Sequence, residues 1–214
     1  MTLKLSNIHF VLLAAGESTR FKARENKLLS KIKDKTILEH NIEQLKKIGF
    51  KKITLVIRNN SILKSITKTK IELIKGGKTR TLSVKNALLK SKIKAKYVFI
   101  HDAARILNSE KLLKKLIKET QKEIYDCIIP FSKCADTVIK NHKNLKREDL
   151  KLIKTPQVFL KKKIVQLHKI NKNYQLTDDS ILMRANPKEF KIKYHLDNGL
   201  NFKVTYKEDL ENLI

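Results

Sequence analysis

The chain has 214 residues, enough for one α/β domain with a full hydrophobic core, and two very small domains fit this length less well. Hydrophobic residues make up 41% of the sequence, which argues against a disordered chain. The net charge of +27 suggests nucleic-acid binding, but only seven of the 48 basic residues are arginines and tryptophan is absent. Nucleic-acid readers usually rely on arginine forks and aromatic platforms, so we expect most lysines to lie on solvated faces.

The cysteines, the histidines and the apolar runs set further limits. Cys127 and Cys134 are the only cysteines, and the six histidines show no metal-ligand spacing, so a zinc site is not expected. No apolar run approaches the length of a membrane span, and the first predicted strand begins too early to leave room for a signal peptide. The sequence therefore predicts a cytoplasmic protein with reduced thiols.

Apolar runs alternate with helical patterns along the chain, which is typical of a mostly parallel sheet with crossover helices. The predicted strands are Ile8–Ala14, Ile53–Ile57, Ile71–Ile74, Tyr97–His101 and Cys127–Pro130. Apolar residues at helical spacing predict three helices between them: one that Gly49 ends, one that begins near Thr79, and one with Ser109 as its N-cap. A lysine-rich helix at Lys161–His168 and a last strand and helix between Phe202 and Leu213 complete the pattern.

Residues 131–155 depart from this alternation. Ala135–Lys140 is predicted as a strand, Asn141–Asn144 as a polar turn, and Leu150–Ile153 as the return strand of a hairpin. A hairpin that protrudes from an α/β domain is a natural dimer arm, although a plain surface excursion would have the same pattern.

The segment from Phe10 to Lys27 carries the most informative signal. An apolar strand gives way to Ala14-Ala15-Gly16, small residues that let backbone N–H groups approach a ligand. Arg20 and Lys27 then bring positive charge to the same place, as a polyphosphate requires. A tight strand-to-helix turn followed by a solvated basic loop is the alternative, and the phosphate site is the favoured interpretation.

Two further strand ends carry polar residues, and ligands of parallel sheets bind beyond the carboxyl ends of the strands. Gly76-Gly77 precedes a predicted helix, which suits the close approach of a flat base, and Ser83 can offer a hydroxyl. Asp102 follows the fourth predicted strand, where a carboxylate that faces a triphosphate is a natural ligand of Mg²⁺. A helix cap explains Asp102 equally well when that residue is considered alone.

Taken in this order, the segments closely resemble the 2-C-methyl-D-erythritol 4-phosphate cytidylyltransferases. The resemblance runs from about residue 7 to residue 210, and its most specific parts are His101–Arg105, the run from Gly76 to Leu88, and Thr155-Pro156-Gln157. It implies an α/β, Rossmann-like nucleotidyltransferase fold, in which a mostly parallel twisted sheet is flanked by helices. It also implies a single domain over residues 1–214 with a protruding β-arm at residues 131–155.

The resemblance further implies a reaction and a set of site residues. CMP would pass from CTP to 2-C-methyl-D-erythritol 4-phosphate with release of pyrophosphate, and Asp102 would bind Mg²⁺. The implied roles are catalysis for Lys27, Arg20 and Lys203, nucleotide binding for Ala14, Ala15, Gly16, Gly77 and Ser83, and acceptor binding for Arg105, Arg147, Thr155 and Thr177. Because the arm of these enzymes enters the partner's site, the resemblance implies a homodimer in which Arg147 and Thr155 act across the interface.

Other functions fit part of the sequence. A ribitol 5-phosphate cytidylyltransferase shares the fold and the nucleotide loop, but Asp102–Arg105 together with Ser83-Val84 favours the methylerythritol enzyme. A basic nucleic-acid-binding protein is the alternative of another class, and charge alone supports it. Thr177-Asp178-Asp179 runs directly into Ser180, as if one residue of the family's motif were missing, so an inactive relative or one with another acceptor is also considered.

Overall fold

A computed structural model describes residues 4–21, 26–58, 60–66, 71–106, 110–198 and 201–213. The strands in these ranges are β1 (Ile8–Ala14), β2 (Lys31–Ile32), β3 (Lys35–Thr36), β4 (Ile53–Ile57), β5 (Glu72–Lys75), β6 (Tyr97–Asp102), β7 (Cys127–Lys133), β8 (Val138–Lys140), β9 (Lys143–Leu145), β10 (Lys151–Ile153), β11 (Gln157–Leu160) and β12 (Ile192–Leu196). The α-helices are α1 (Ile37–Ile48), α2 (Arg80–Lys90), α3 (Glu110–Gln121), α4 (Lys161–Ile170) and α5 (Ile181–Arg184). None of the helices in these ranges is long and apolar enough to cross a membrane.

Eight of these strands form one sheet with β1 near its centre. The order is β10-β7-β11-β6-β1-β4-β5, and β12 also pairs with β7. Strand β1 runs parallel to β4 and β6, and β4 runs parallel to β5, whereas β11 and β10 are antiparallel to their neighbours. The α/β fold with a mostly parallel sheet flanked by helices, which the sequence predicts, is confirmed.

Helices cover both faces of the sheet, which is why β1 is buried along its whole length. Successive side chains of a strand point to opposite faces. Phe10 and Leu12 accordingly pack in a core with α1 and α3, while Val11 and Leu13 pack in a second core with α2 and α4. Burial on both faces explains why this strand is a continuous apolar run in the sequence.

Helix α1 has defined signals at both ends. The hydroxyl of Thr36 accepts a hydrogen bond from the Glu39 backbone amide at 3.2 Å, and the Glu39 carboxylate accepts one from the Thr36 amide at 2.8 Å, which forms a capping box. Gly49, with φ of 100°, ends the helix as predicted. The predicted start near Thr79 is also correct, because its hydroxyl accepts a hydrogen bond from the first turn of α2.

Residues 131–155 form two separate pairings, and the predicted hairpin is wrong. Asn141 and His142 both have positive φ, at 50° and 62°, and make a two-residue turn that joins β8 to β9. Strand β10 pairs instead with the end of β7. Ala135–Lys140 therefore does not pair with Leu150–Ile153, because the tight turn closes a shorter hairpin and leaves β10 free to extend the main sheet.

The last third of the chain contains further differences. Strands β11 and β12 are absent from the sequence prediction, and β12 has no apolar run because polar and apolar residues alternate within it. The predicted last strand is reduced to an isolated bridge between Arg105 and Lys203, and the helix after it is the 3-10 helix Glu208–Leu213. The predicted N-cap Ser109 lies outside the described residues.

The capping box of α1 yields a stability prediction. Thr36→Ala removes the hydroxyl that caps the helix and should lower the free energy of unfolding by about 1 kcal/mol. Thr36→Ser keeps a hydroxyl and should retain most of that stability. Urea denaturation followed by circular dichroism measures both variants, and an equal loss in the two would show that the hydroxyl does not cap the helix.

Candidate active site

A cavity of about 360 Å³ opens where β1 and β6 end. Its wall is formed by the loop after β1, the first turns of α2, the end of β6 and the segment around residue 203. The structure brings most of the predicted site residues together on this wall: Ala15, Gly16, Arg20, Lys27, Gly77, Ser83, Asp102 and Lys203. The cavity therefore lies at the edge of the sheet where the sequence places the ligand.

Backbone forms one part of this wall. A Cβ atom on Gly76 would lie 2.5 Å from the Ala15 Cβ, and one on Gly77 would lie 2.4 Å from the Leu82 Cβ, so packing excludes a side chain at both positions. A Cβ atom on Gly16 would meet nothing within 4 Å. The glycine at position 16 therefore leaves open space where a ligand can contact the backbone.

Ser83 ties the glycines to helix α2. Its hydroxyl accepts a hydrogen bond from the Gly77 amide at 3.1 Å and donates one to the Thr79 carbonyl at 2.9 Å. Because the Ser83 side chain is buried, this contact fixes the shape of the loop. The predicted contact of Ser83 with the nucleotide stays a prediction, and its part in the loop is an additional role.

Asn26 connects the turn that carries Lys27 to Gly16 and Ser18, a role that sequence reasoning missed. Its side-chain oxygen accepts hydrogen bonds from the Leu28 amide at 3.0 Å and the Ser18 hydroxyl at 3.3 Å, and its side-chain nitrogen donates to the Gly16 carbonyl at 3.2 Å. These contacts begin the short 3-10 helix that carries Lys27. The available signal was an asparagine directly before Lys27, where a side chain can cap the next turn.

Lys27 lies next to a second lysine. Its ammonium group donates a hydrogen bond to the Val204 carbonyl at 2.9 Å, in the segment that carries Lys203. Burial, followed by the positive charges of Lys203 and Arg20, lowers the pKa of Lys27 to about 8. An anion bound between these cations would raise that pKa again, so the free site favours a negatively charged ligand.

Asp102 is held between two cations. Its Oδ1 accepts a hydrogen bond from Arg80 Nε at 2.9 Å, and its Oδ2 accepts one from Lys203 Nζ at 3.0 Å. Burial alone would raise the pKa of Asp102, but Arg80 and Lys203 hold it well below its usual range.

This arrangement bears on the predicted magnesium site. Both oxygens of Asp102 are already engaged, and the described residues contain no group of three or more acidic, histidine or cysteine side chains that could hold a metal ion. Arg80 and Lys203 already neutralise the Asp102 carboxylate, and their positive charges oppose a metal cation at the same place. The residues present therefore do not fit a preformed magnesium site.

The Thr155 hydroxyl contacts both the backbone of Asp102 and the ring of His101. Burial lowers the pKa of His101 to about 4, so its ring is neutral, and its Nε2 donates a hydrogen bond to the Arg105 carbonyl at 3.0 Å. The Thr155 hydroxyl then donates to His101 Nδ1 at 3.0 Å and accepts from the Asp102 amide at 3.1 Å. This hydroxyl is thus committed within its own chain, which differs from the role across an interface that the resemblance implies.

Arg105 lies beside the cavity without lining it. Its Nη1 donates a hydrogen bond to the Asn201 carbonyl at 3.3 Å, and its backbone pairs with Lys203. Burial lowers the pKa of Arg105, and its Nε is buried without a hydrogen-bond partner among the described residues. The backbone pairing of Arg105 with Lys203 therefore brings two separate segments of the chain together beside the cavity.

Besides Arg105 and Thr155, three predicted site residues do not line the cavity. Ala14 is buried in β1, and Thr177 lies exposed in the turn between α4 and α5. Arg147 is exposed beyond β9, where its Nη1 donates a hydrogen bond to the Ala135 carbonyl at 3.2 Å. Their predicted contacts with substrates remain predictions.

Arg80 and Asp179 are functional candidates that sequence reasoning missed. Arg80 Nη1 donates a hydrogen bond to the buried Asp179 carboxylate at 2.7 Å, so this guanidinium bridges Asp179 and Asp102. A signal for Arg80 was present in the composition. In a chain with 41 lysines, seven arginines mark positions where a planar fork of donors has an advantage over a point charge.

Comparisons with known proteins place the chain in one family. The family model described as "IspD: 2-C-methyl-D-erythritol 4-phosphate cytidylyltransferase" matches residues 8–213. A bifunctional enzyme IspD/IspF from Pelagibacter ubique is 41% identical over an alignment of 219 residues that covers 97% of this chain and 57% of the relative.

Solved structures agree with this placement. Bifunctional IspDF from Campylobacter jejuni matches with a TM-score of 0.83 and 34% identity, over 96% of this chain and 53% of that one. The 2-C-methyl-D-erythritol 4-phosphate cytidylyltransferase of Francisella tularensis matches with a TM-score of 0.80 and 26% identity, over 96% and 97% of the two chains. The chain thus spans little more than half the length of its bifunctional relatives.

The lowered pKa of Lys27 yields a pH prediction. Above a pKa of about 8 the ammonium group loses its proton, so binding of inorganic tripolyphosphate should weaken by about tenfold between about pH 7 and pH 9. In Lys27→Arg the side chain stays charged, and this part of the pH dependence should disappear. Isothermal titration calorimetry measures both proteins, and identical pH profiles would assign the titration to another group.

Proposed function

Because the chain belongs to the 2-C-methyl-D-erythritol 4-phosphate cytidylyltransferase family of nucleotidyltransferases, we propose that it transfers CMP from CTP to 2-C-methyl-D-erythritol 4-phosphate and releases pyrophosphate. The observation that carries this proposal is the cavity itself. Backbone and small residues form one part of its wall, and Arg20, Lys27 and Lys203 bring positive charge to another part. Such a wall suits a flat base at one end and a triphosphate at the other.

The nucleotide is proposed to bind through backbone groups, the Ser83 hydroxyl and the Arg20 guanidinium. Ala15, Gly77 and Ser83 would surround the cytidine, and Gly16 and Arg20 would hold the β- and γ-phosphates. The open space beside Gly16 supports this placement, because a side chain there would occupy the approach to the phosphates. Ala14 would contribute by ending the buried strand at the cavity.

In the proposed reaction an oxygen of the acceptor phosphate attacks the α-phosphorus of CTP. A new P–O bond forms while the bond from the α-phosphorus to the oxygen that leads to the β-phosphate breaks, and pyrophosphate leaves with that electron pair. The acceptor phosphate is already ionised, so the reaction needs no general base. Lys27 and Lys203 would stabilise the negative charge of the pentacoordinate transition state.

We infer that Mg²⁺ would enter on the phosphate oxygens of the nucleotide. Asp102 has both oxygens engaged, and Glu17, the other acidic residue in the described cavity wall, pairs with Arg58. Because Mg²⁺ commonly binds substrate phosphates with few protein ligands, such a site remains compatible with a divalent cation. The steps above are assigned only to residues of the chain.

The acceptor is proposed to bind where Arg105 and Lys203 meet, with its polyol chain toward Thr177. Arg147 lies outside the cavity wall of its own chain, so we assign it to the site of a second copy. The surface around it supports a dimer, since Ile139, Leu145 and Leu152 are all exposed. We therefore propose that two copies of the chain form a homodimer through the arm at residues 131–155. We also propose that the enzyme works in the cytoplasm, where CTP is supplied.

Pyrophosphate release in the presence of CTP and Mg²⁺ tests the proposed function. The assay is run in parallel with 2-C-methyl-D-erythritol 4-phosphate and with ribitol 5-phosphate. Release with the first acceptor alone would support the proposal, and release with ribitol 5-phosphate alone would overturn the acceptor. A protein that binds CTP and releases no pyrophosphate with either acceptor would contradict the transfer reaction.

The catalytic role of Lys27 is tested by substitution. Lys27→Ala removes one cation from the transition state, and kcat should fall by about 10²- to 10³-fold, the usual effect of losing one preorganised charge or donor. Lys31→Ala removes an exposed lysine from the same segment and is the matched control. Steady-state pyrophosphate release measures both, and a normal kcat in Lys27→Ala would exclude this role.

Mixed dimers test whether Arg147 acts on a partner's site. Arg147→Ala and Lys27→Ala homodimers should both be impaired. In a mixed dimer, however, one site has an intact Lys27 and faces an intact Arg147 from the other subunit. Random mixing should restore about a quarter of the wild-type activity, because about half of the dimers are mixed and each has one complete site. Activity no higher than the mean of the two homodimers would place Arg147 in the site of its own chain.

A further inference from the structure

Arg80 occupies an unusual position at the start of α2. Its guanidinium donates one hydrogen bond to each of two carboxylates, from Nε to Asp102 at 2.9 Å and from Nη1 to Asp179 at 2.7 Å. Burial alone would lower the pKa of Arg80, but the two carboxylates raise it, so this arginine stays charged. A rigid, planar cation thus joins the end of β6 to the turn before α5.

Asp179 has no free oxygen to offer a ligand. The carboxylate is fully buried, and besides the bond from Arg80 it accepts one from His168 Nε2 at 3.2 Å. A buried carboxylate is costly unless it is paired, and Arg80 supplies the pairing charge. The turn that carries Asp179 therefore acts on the cavity through Arg80.

The contacts continue from Arg80 to a residue of the proposed reaction. Asp102 binds Arg80 through Oδ1 and Lys203 through Oδ2, so four charges alternate in the order Asp179, Arg80, Asp102 and Lys203. The first three side chains are largely buried, and the Lys203 side chain is 35% exposed at the cavity wall. A lysine has a flexible stem, and its ammonium group is held in one place only if a fixed partner holds it.

We propose that Arg80, anchored by Asp179, is a positioning residue that orients the Asp102 carboxylate and thereby holds Lys203 beside the reacting phosphate. The inference rests on the proposed function, in which Lys203 stabilises the transition state. If the Lys203 ammonium group moves even a short distance from the reacting phosphate, the rate falls although Lys203 itself is still present. The same chain of contacts gives Asp179 an inward, structural role.

A second arginine in the same region provides a matched control. Arg184 in α5 donates hydrogen bonds to Asp178 at 2.9 Å and to the Ser180 hydroxyl at 3.0 Å. Its side chain is 29% exposed, close to the 23% of Arg80. Arg184 therefore also anchors this turn through a guanidinium–carboxylate pair, but its hydrogen bonds go to Asp178 and Ser180 and not to Asp102.

The experiment compares Arg80→Lys with Arg184→Lys. A lysine at position 80 keeps the charge but cannot bond both carboxylates as a fork does, so kcat should fall by about 10- to 100-fold while the dissociation constant of CTP stays close to the wild-type value. Arg184→Lys should retain most of the kcat. If Arg80→Lys does not fold, Asp179→Asn keeps Arg80, removes its anchoring charge and should reduce kcat in the same direction.

A second readout does not depend on activity. Without substrate, Lys203 should react with acetic anhydride severalfold faster in Arg80→Lys than in Arg184→Lys, as measured by mass spectrometry of the Lys203 peptide. A wild-type kcat in Arg80→Lys, an equal loss in both variants, or a loss explained by weaker CTP binding would each overturn the inference. If the wild type transfers CMP to no acceptor, the proposed function fails. The acetylation rates still decide in that case whether Arg80 holds Lys203.

Discussion

At the end of β6 one carboxylate is held between two cations, and the rest of the site is arranged around that contact. Asp102 binds Arg80 from α2 and Lys203 from the segment near the C-terminus, and its backbone amide is bound by Thr155. Removing any partner would leave a charge or a donor unpaired in a largely buried place, which is costly. Four segments far apart in the sequence therefore meet at one residue, two of them at its carboxylate and one at its backbone amide.

The two kinds of basic residue have different roles in this arrangement. Arg80 is planar and keeps its charge, so it can bridge two carboxylates in a fixed geometry. Lys27 is a point charge whose pKa is lowered to about 8 by burial and by its neighbours, so its charge responds to what is bound beside it. We infer that Arg80 sets the framework and that Lys27 meets the anion.

Parts of this molecule could be predicted because local sequence determines them. The bounds of β1 and β4 match the prediction because both strands are buried on both faces and form continuous apolar runs. Gly49 and Thr79 mark helix ends by backbone conformation and by a hydroxyl, both of which act within one turn. The family predicted from the sequence is likewise confirmed, since its motifs are short and local.

Other parts depend on contacts that no local pattern contains. Arg80 and Asp179 are 99 residues apart, and their pairing appears only when α2 and the turn before α5 come together. Strand β12 alternates polar and apolar residues at the side of β7, so it lacks the apolar run that identified other strands. The predicted hairpin fails because the positive φ values of Asn141 and His142 close the chain earlier than the composition of the turn suggested.

Most contacts of the short Thr177–Ser180 segment are with side chains inside the protein. Asp178 binds Arg184, and Asp179 binds Arg80 and His168, so both carboxylates point into the protein. Ser180 is held by the side chain of Gln157, which follows Thr155-Pro156 in the chain. Since the segment supports the framework from within, its length alters the exposed position of Thr177 more than it alters the charges at the cavity. We infer that the choice of nucleotide and the choice of acceptor are separable in this fold: the backbone wall at Gly16 and Gly77 determines the first, and exposed residues such as Thr177 and Arg147 contribute to the second.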